Sequence, residues 1–190
     1  MKLILTSCDF RSEAAAAVIR QHLPPLSACR VLYFANEKAT PEKIRAGIYE
    51  KRLAEFGFAA ENMTVFDYFS PQTLDGAQFD CVYISGGNTF GTLRRIRESG
   101  GDALIRDAVS GGAVYIGGSA GAHIACADVS HVTAWDTDTF GLTDFAGLAL
   151  YDGALICHYT DAREAELLRL RVEEKHVTAL DDDEFLVIEK

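Results

Sequence analysis

Ala113-Val114-Tyr115-Ile116-Gly117-Gly118-Ser119-Ala120-Gly121 joins a short apolar run to a pentapeptide of the form G-x-S-x-G. The run reads as a β-strand and the residues after Ser119 as a helix. That is the context in which this pentapeptide makes a nucleophile elbow. Gly117 and Gly121 let strand and helix approach closely, and Gly118 tolerates a strained backbone. The N-terminal amides of the helix point towards the serine, which suits a developing anion. A glycine-rich turn that happens to carry a serine satisfies the same pattern, so the rest of the chain has to supply the partners.

Around this stretch, apolar runs alternate with helical patterns. Strands are expected at Leu3 to Thr6, Val31 to Ala35, Met63 to Phe66, Cys81 to Ile84, Ala113 to Ile116, Ala154 to Cys157, Val177 to Leu180 and Phe185 to Ile188. Helices are expected at Glu13 to His22, from Thr40-Pro41-Glu42 to about Phe56, at Thr89 to Arg97, Asp102 to Ser110, Ala120 to Ala127 and Arg163 to Lys175. Thr40 with Pro41 is a capped helix start. Residues 128 to 152 are polar and irregular, with a short hairpin expected around Trp135, and form the obvious lid candidate. The alternation predicts an α/β fold over residues 1–190 as one three-layer domain, a mostly parallel sheet with helices on both faces. Sites in such sheets lie beyond the carboxyl ends of the strands. Ser85-Gly86-Gly87-Asn88-Thr89-Phe90, the elbow and His158-Tyr159-Thr160 all fall there.

The chain of 190 residues is 48% hydrophobic and 24% charged, ordinary for a globular protein. Its net charge of −10 argues against nucleic acid or an anionic membrane as partner. An acidic ligand would have to be captured by local arginines against that overall field. No apolar stretch is long enough to cross a bilayer. The opening residues read as a first strand rather than a signal peptide, which predicts a cytoplasmic protein. Cys8, Cys29, Cys81, Cys126 and Cys157 are odd in number and lack C-x-x-C spacing, so neither a disulfide framework nor a zinc knuckle is expected. No metal and no organic cofactor are expected.

A serine nucleophile needs a base. Of His22, His123, His131, His158 and His176, His158 directly follows an apolar strand and should share the sheet edge with Ser119. His123 lies four residues from Ser119 on the same helix, an awkward place for its base. The base needs a carboxylate to orient it, and Asp181-Asp182-Asp183-Glu184 offers several; the pattern alone does not choose among them. An oxyanion hole needs two amides. One is that of Ala120; the other is expected from Gly86-Gly87-Asn88, where Asn88 also caps the next helix.

The motifs Ser85-Gly86-Gly87-Asn88-Thr89-Phe90, Tyr115-Ile116-Gly117-Gly118-Ser119-Ala120-Gly121-Ala122 and His158-Tyr159 together resemble the peptidase E (aspartyl dipeptidase) family, the S51 serine peptidases. The resemblance runs from the first strand to the tail. It implies a fold similar to class I glutamine amidotransferases, flavodoxin-like, with serine in place of the amidotransferase cysteine. It also implies a triad of Ser119, His158 and an acid carried onto Asp182 by Leu180-Asp181-Asp182, where the best-known members use glutamate. Gly87 and Ala120 become the oxyanion donors. The implied activity is removal of N-terminal aspartate from dipeptides. Arg163 would hold the aspartate side chain, and Asp136 the free amino group, with Asn88 beside the substrate. The loop between His158 and Arg163 is shorter than in typical members.

Two other functions fit the same residues. One is a dipeptidase or amide hydrolase of broader specificity, its site widened by the short loop. The other is a non-catalytic amidotransferase-like domain that binds a metabolite or a partner protein. The sequence leaves the oligomeric state open, a homodimer included.

Overall fold

The structure, a computed structural model, describes residues 1–71, 74, 76–173 and 176–189. Its strands are β1 (Lys2–Thr6), β2 (Val31–Phe34), β3 (Met63–Val65), β4 (Cys81–Ile84), β5 (Val114–Gly118), β6 (Ala154–Ile156), β7 (Val177–Ala179) and β8 (Phe185–Glu189). Its helices are α1 (Glu13–Gln21), α2 (Pro41–Arg45), α3 (Ile48–Phe56), α4 (Thr89–Glu98), α5 (Gly101–Ser110), α6 (Ala120–Ile124) and α7 (Glu164–Glu173).

Six strands form the main sheet in the order β3-β2-β4-β5-β1-β8. All neighbours are parallel except β8, which runs antiparallel to β1 on the edge. Every residue of β2, β4 and β5 is buried. A parallel strand buried at every position needs cover on both faces, and this explains why these strands read as unbroken apolar runs. Within the core, Tyr33 and Tyr83 meet edge to face with centroids 5.1 Å apart, and Phe10 packs edge-on against Tyr83 at 5.6 Å.

Four elements depart from the sequence expectation. The strand before His158 does not join the main sheet: β6 pairs in parallel with β7 in a separate two-stranded sheet. The helix expected from Pro41 to Phe56 is two helices, because Gly47 adopts φ 65° and turns the chain between α2 and α3. Around Trp135 there is no hairpin; Ser130–Ala134 forms a 3₁₀ turn instead. The elbow helix is also shorter than expected, ending at Ile124. The expected end of the last helix, Lys175, lies outside the described residues.

The elbow glycines answer to close packing. A Cβ on Gly117 would lie 2.6 Å from the Gly121 carbonyl oxygen. A Cβ on Gly121 would lie 3.0 Å from the Ile84 carbonyl carbon and 3.1 Å from its Cβ. Helix α6 therefore leans on the backbone of β4 and β5, and Tyr115 fixes it there by donating from its hydroxyl to the Gly121 carbonyl at 2.6 Å. Gly121→Ala forces α6 away from β4 and should cost roughly 1–3 kcal/mol, the range for overpacking a tight core. It should appear as a lower urea midpoint with an unchanged slope; an unchanged midpoint would mean that the helix seats no closer than alanine allows.

Candidate active site

The carboxyl ends of four adjacent strands, β2, β4, β5 and β1, converge on Ser119. Its backbone lies at φ 49°, ψ −107°, a conformation that only a well-supported non-glycine residue holds. The support is visible. The Ser119 amide donates to Thr6 O at the end of β1 (2.8 Å), and its carbonyl accepts from the amides of Ala122 (2.8 Å) and His123 (3.0 Å). The turn pushes the side chain out of the sheet towards His158.

Ser119 Oγ lies 3.0 Å from His158 Nε2, and His158 Nδ1 lies 2.5 Å from Asp182 Oδ1. With Nδ1 donating to the carboxylate, Nε2 is free to accept the serine proton. His158 itself sits at φ 55°. Ser7, fully buried just beyond β1, holds it: its hydroxyl accepts the His158 amide at 3.0 Å and donates to Leu180 O at 3.0 Å. Tyr159 N also donates to Leu180 O (2.9 Å). One side chain thus ties the histidine loop to the loop that carries the acid. This is how a histidine from a separate small sheet reaches a serine on the main one.

The acidic run resolves residue by residue. Asp181 Oδ1 accepts the amides of Asp183 (2.8 Å) and Glu184 (2.9 Å) and so shapes the turn. Glu184 accepts the Asp181 amide, and Asp183 accepts from Ser12 Oγ. Asp182 alone of the four bonds to His158. Its carboxyl is held below the usual carboxylate range, chiefly by that hydrogen bond.

The glycine turn after β4 is clamped from β2. Asn36 Nδ2 donates to Gly86 O at 2.7 Å, and Glu37 Oε2 accepts the Asn88 amide at 2.8 Å. A Cβ on Gly86 would stand 3.3 Å from Ser119 Cβ, so the turn passes directly beside the serine. Among the described residues, no acceptor takes the amides of Gly86, Gly87 or Ala120.

Asn88, Asp136 and Arg163 lie elsewhere. Asn88 caps α4 by accepting the Gly91 amide (2.9 Å), and its Nδ2 donates to Asp136 Oδ1 (2.7 Å) and Thr137 O (2.9 Å). Asp136 Oδ2 accepts the Thr89 amide at 2.7 Å, a carboxylate at a helix N-terminus. Arg163 Nη1 donates to Cys157 O at 2.6 Å, and its guanidinium stands 5.2 Å from the centre of the Trp135 ring. A cavity of about 580 Å³ opens beside Ser119 and His158, and none of these three residues lines it. Its charged walls are Arg11, Lys38 and Arg52 with Asp9 and Glu55. Ser7, Asn36, Glu37 and Arg11 were not singled out from the sequence, although each lies just past the end of β1 or β2, where such a sheet builds its site.

His123 lies behind the serine and is fully enclosed. Its Nε2 accepts the Cys157 amide (3.4 Å), which leaves Nδ1 to donate to Thr89 Oγ1 (3.3 Å). Burial pushes its pKa down to about 3. Among the described residues, the one grouping with the spacing of metal ligands is Cys8, His158 and Asp182, with ligand atoms within 4.8 Å of one another. Burial and the neighbouring Asp182 push the Cys8 thiol up to about 11.

A mostly parallel α/β sheet thus carries a serine on a strand-to-helix elbow, bonded to a histidine and through it to an aspartate. The chain belongs to peptidase family S51, whose profile matches residues 12–190. It is 33% identical over 97 residues to the uncharacterized peptidase Lmo0363 of Listeria monocytogenes, a match covering 50% of this chain and 47% of that one. It is 40% identical over 83 residues to peptidase E of Escherichia coli, covering 44% of this chain and 35% of the relative. The matched regions thus span less than half the length of these curated relatives. A candidate peptidase E protein from Listeria monocytogenes EGD-e superposes with a TM-score of 0.73 at 24% identity, covering 98% of this chain and 93% of that one. A peptidase from an acI-B1 actinobacterium superposes at 0.62 with 14% identity, covering 98% and 82%. Both show the shared fold. No helix among the described residues is long and apolar enough to cross a membrane.

Neutral, buried His123 has a measurable consequence. The folded state refuses its proton until about pH 3, whereas the unfolded chain accepts it near 6.5. Its contribution to stability is therefore complete above 6.5 and is lost as the pH falls, by at most about 1.4 kcal/mol per pH unit. Urea unfolding between about pH 7 and about pH 4 should show a shallower fall in His123→Gln than in the parent; equal slopes would mean that His123 protonates in place.

Proposed function

We propose that the chain is a serine dipeptidase that removes N-terminal aspartate from small peptides, with residues 1–190 working as one peptidase domain. The observation that carries this reading is the unbroken hydrogen-bond path from Ser119 Oγ through the His158 ring to Asp182. His158 Nε2 takes the Ser119 proton as Oγ attacks the scissile carbonyl. The amides of Gly87 and Ala120 receive the oxyanion. His158 then returns the proton to the leaving amine, and water releases the acyl group by the reverse sequence. Asp182 keeps the ring in the tautomer that can accept. Asn88 and Asp136 serve substrate by fixing the glycine turn and the start of α4. Action in the cytoplasm is part of the reading, and five free thiols support it.

A broader peptide specificity is favoured by one observation: Arg163, the expected anchor for aspartate, is engaged by Cys157 O and stacked on Trp135. Hydrolysis of Asp-Leu and Ala-Leu separates the two readings. The aspartyl reading expects Asp-Leu to be cleaved and Ala-Leu spared, with Ser119→Ala lowering the rate on the order of 10⁴- to 10⁶-fold. Cleavage of both dipeptides would discard acidic specificity. Full activity in Ser119→Ala would discard the serine mechanism.

A further inference from the structure

The cavity beside Ser119 carries three cations, Arg11, Lys38 and Arg52, against two carboxylates, Asp9 and Glu55, in a protein whose net charge is −10. Lys38 and Arg52 have no salt-bridge partner among the described residues. Arg11 is arranged more specifically. Its Nε donates to Cys8 O at 3.2 Å and to Asp9 Oδ1 at 3.3 Å, which sets the plane of the guanidinium. Asp9 is itself buried and held at φ 50° against Gly118, so it forms a fixed post for that bond. Neither Nη of Arg11 donates to any described residue. Nη2 stands 3.4 Å from the place a Cβ on Gly86 would occupy, and that same place is 3.3 Å from Ser119 Cβ. The absence of a side chain at residue 86 therefore leaves open a short path between the guanidinium fork and the serine.

A planar fork fixed through Nε with both Nη groups unclaimed is matched by a carboxylate, which takes two parallel N–H···O bonds. Lys38 and Arg52 add positive charge around it, and Asp9 and Glu55 are the acids that face the same space. Asp9 is already engaged by the Nε of Arg11. Glu55 is the other acid lining the cavity, and its negative charge disfavours a second anion there.

We infer that Arg11, in a cavity that Lys38 and Arg52 also line, forms a carboxylate-binding subsite for the substrate on the glycine-turn side of Ser119. The inference rests on the proposed reading of Ser119 as the reacting residue. It moves recognition of the acidic group from Arg163 to Arg11. The carboxylate has two sources in a dipeptide, an N-terminal aspartate side chain or the free carboxyl terminus.

Binding to Ser119→Ala, measured by calorimetry, separates these sources without relying on turnover. The ligands are Asp-Leu, Asp-Leu amide, Ala-Leu and Ala-Leu amide. Adding Arg11→Gln should weaken Asp-Leu binding roughly 10- to 100-fold, the loss expected for charge-assisted hydrogen bonds, and Arg11→Lys should recover part of it. Dependence on Arg11 that persists for Asp-Leu amide and vanishes for Ala-Leu assigns the aspartate side chain. The opposite pattern assigns the carboxyl terminus. The inference is overturned if Arg11→Gln leaves Asp-Leu binding within about twofold, if it weakens Ala-Leu amide equally, or if Asp-Leu does not bind the Ser119→Ala parent. An unchanged melting temperature in Arg11→Gln separates lost binding from lost folding. Hydrolysis retained by Ser119→Ala would instead overturn the serine mechanism, and with it the assignment of this subsite to the substrate of Ser119.

Discussion

The end of β1 is the point on which the rest of the site depends. Within two residues it makes three separate attachments. Thr6 O receives the Ser119 amide, Thr6 Oγ1 donates to Gly117 O at 3.4 Å, and Ser7 Oγ joins the His158 amide to Leu180 O. Ser119, His158 and Asp182 come from distant parts of the chain. Each could move independently without a common anchor. Strand β1 is suited to be that anchor because it lies between β5 and β8 and is paired along its length on both sides. Holding these three side chains to within fractions of an ångström is what such a rigid support provides.

Backbone geometry and electrostatics work together here. Ser119, His158 and Asp9 all hold positive φ, and all three sit around the same cavity. Such conformations cost on the order of 1–3 kcal/mol each and persist where the surroundings over-determine them. At Ser119 the strain turns the hydroxyl outward, at His158 it turns the ring back to the serine, and at Asp9 it directs a carboxylate inward to brace Arg11. The result is a cleft with three cations against two carboxylates in an acidic protein, and the buried one of those carboxylates, Asp9, braces Arg11. Burial pushes the Asp9 pKa upward, and the adjacent guanidinium pulls it back.

Much of this was legible in the sequence because it follows from short-range rules. The apolar runs at Val31–Phe34, Cys81–Ile84 and Val114–Ile116 are strands because they are buried on both faces. The small residues around Ser119 report how closely α6 must approach β4. What the sequence hid was long-range. Nothing in Ala154–Cys157 distinguishes a strand of the main sheet from one that pairs only with β7. Asp182 differs from Asp181 and Asp183 only in where the turn aims it, which depends on Asp181 using its own carboxylate to cap that turn. Gly47 looks tolerable inside a helix until its left-handed conformation splits it. Nothing in the local sequence marks Asn36, Glu37 or Arg11, and only the strand order β2-β4-β5-β1 brings them to the serine. Arg163 is the reverse case: position suggested a free anchor, and Trp135 with Cys157 O occupies it.

If His158 makes Ser119 nucleophilic, a fluorophosphonate should label the protein covalently at that serine. Mass spectrometry should find a single adduct per chain, on Ser119, formed slowly or not at all in His158→Ala. An adduct on another residue, or labelling of Ser119 at an undiminished rate without His158, would contradict it.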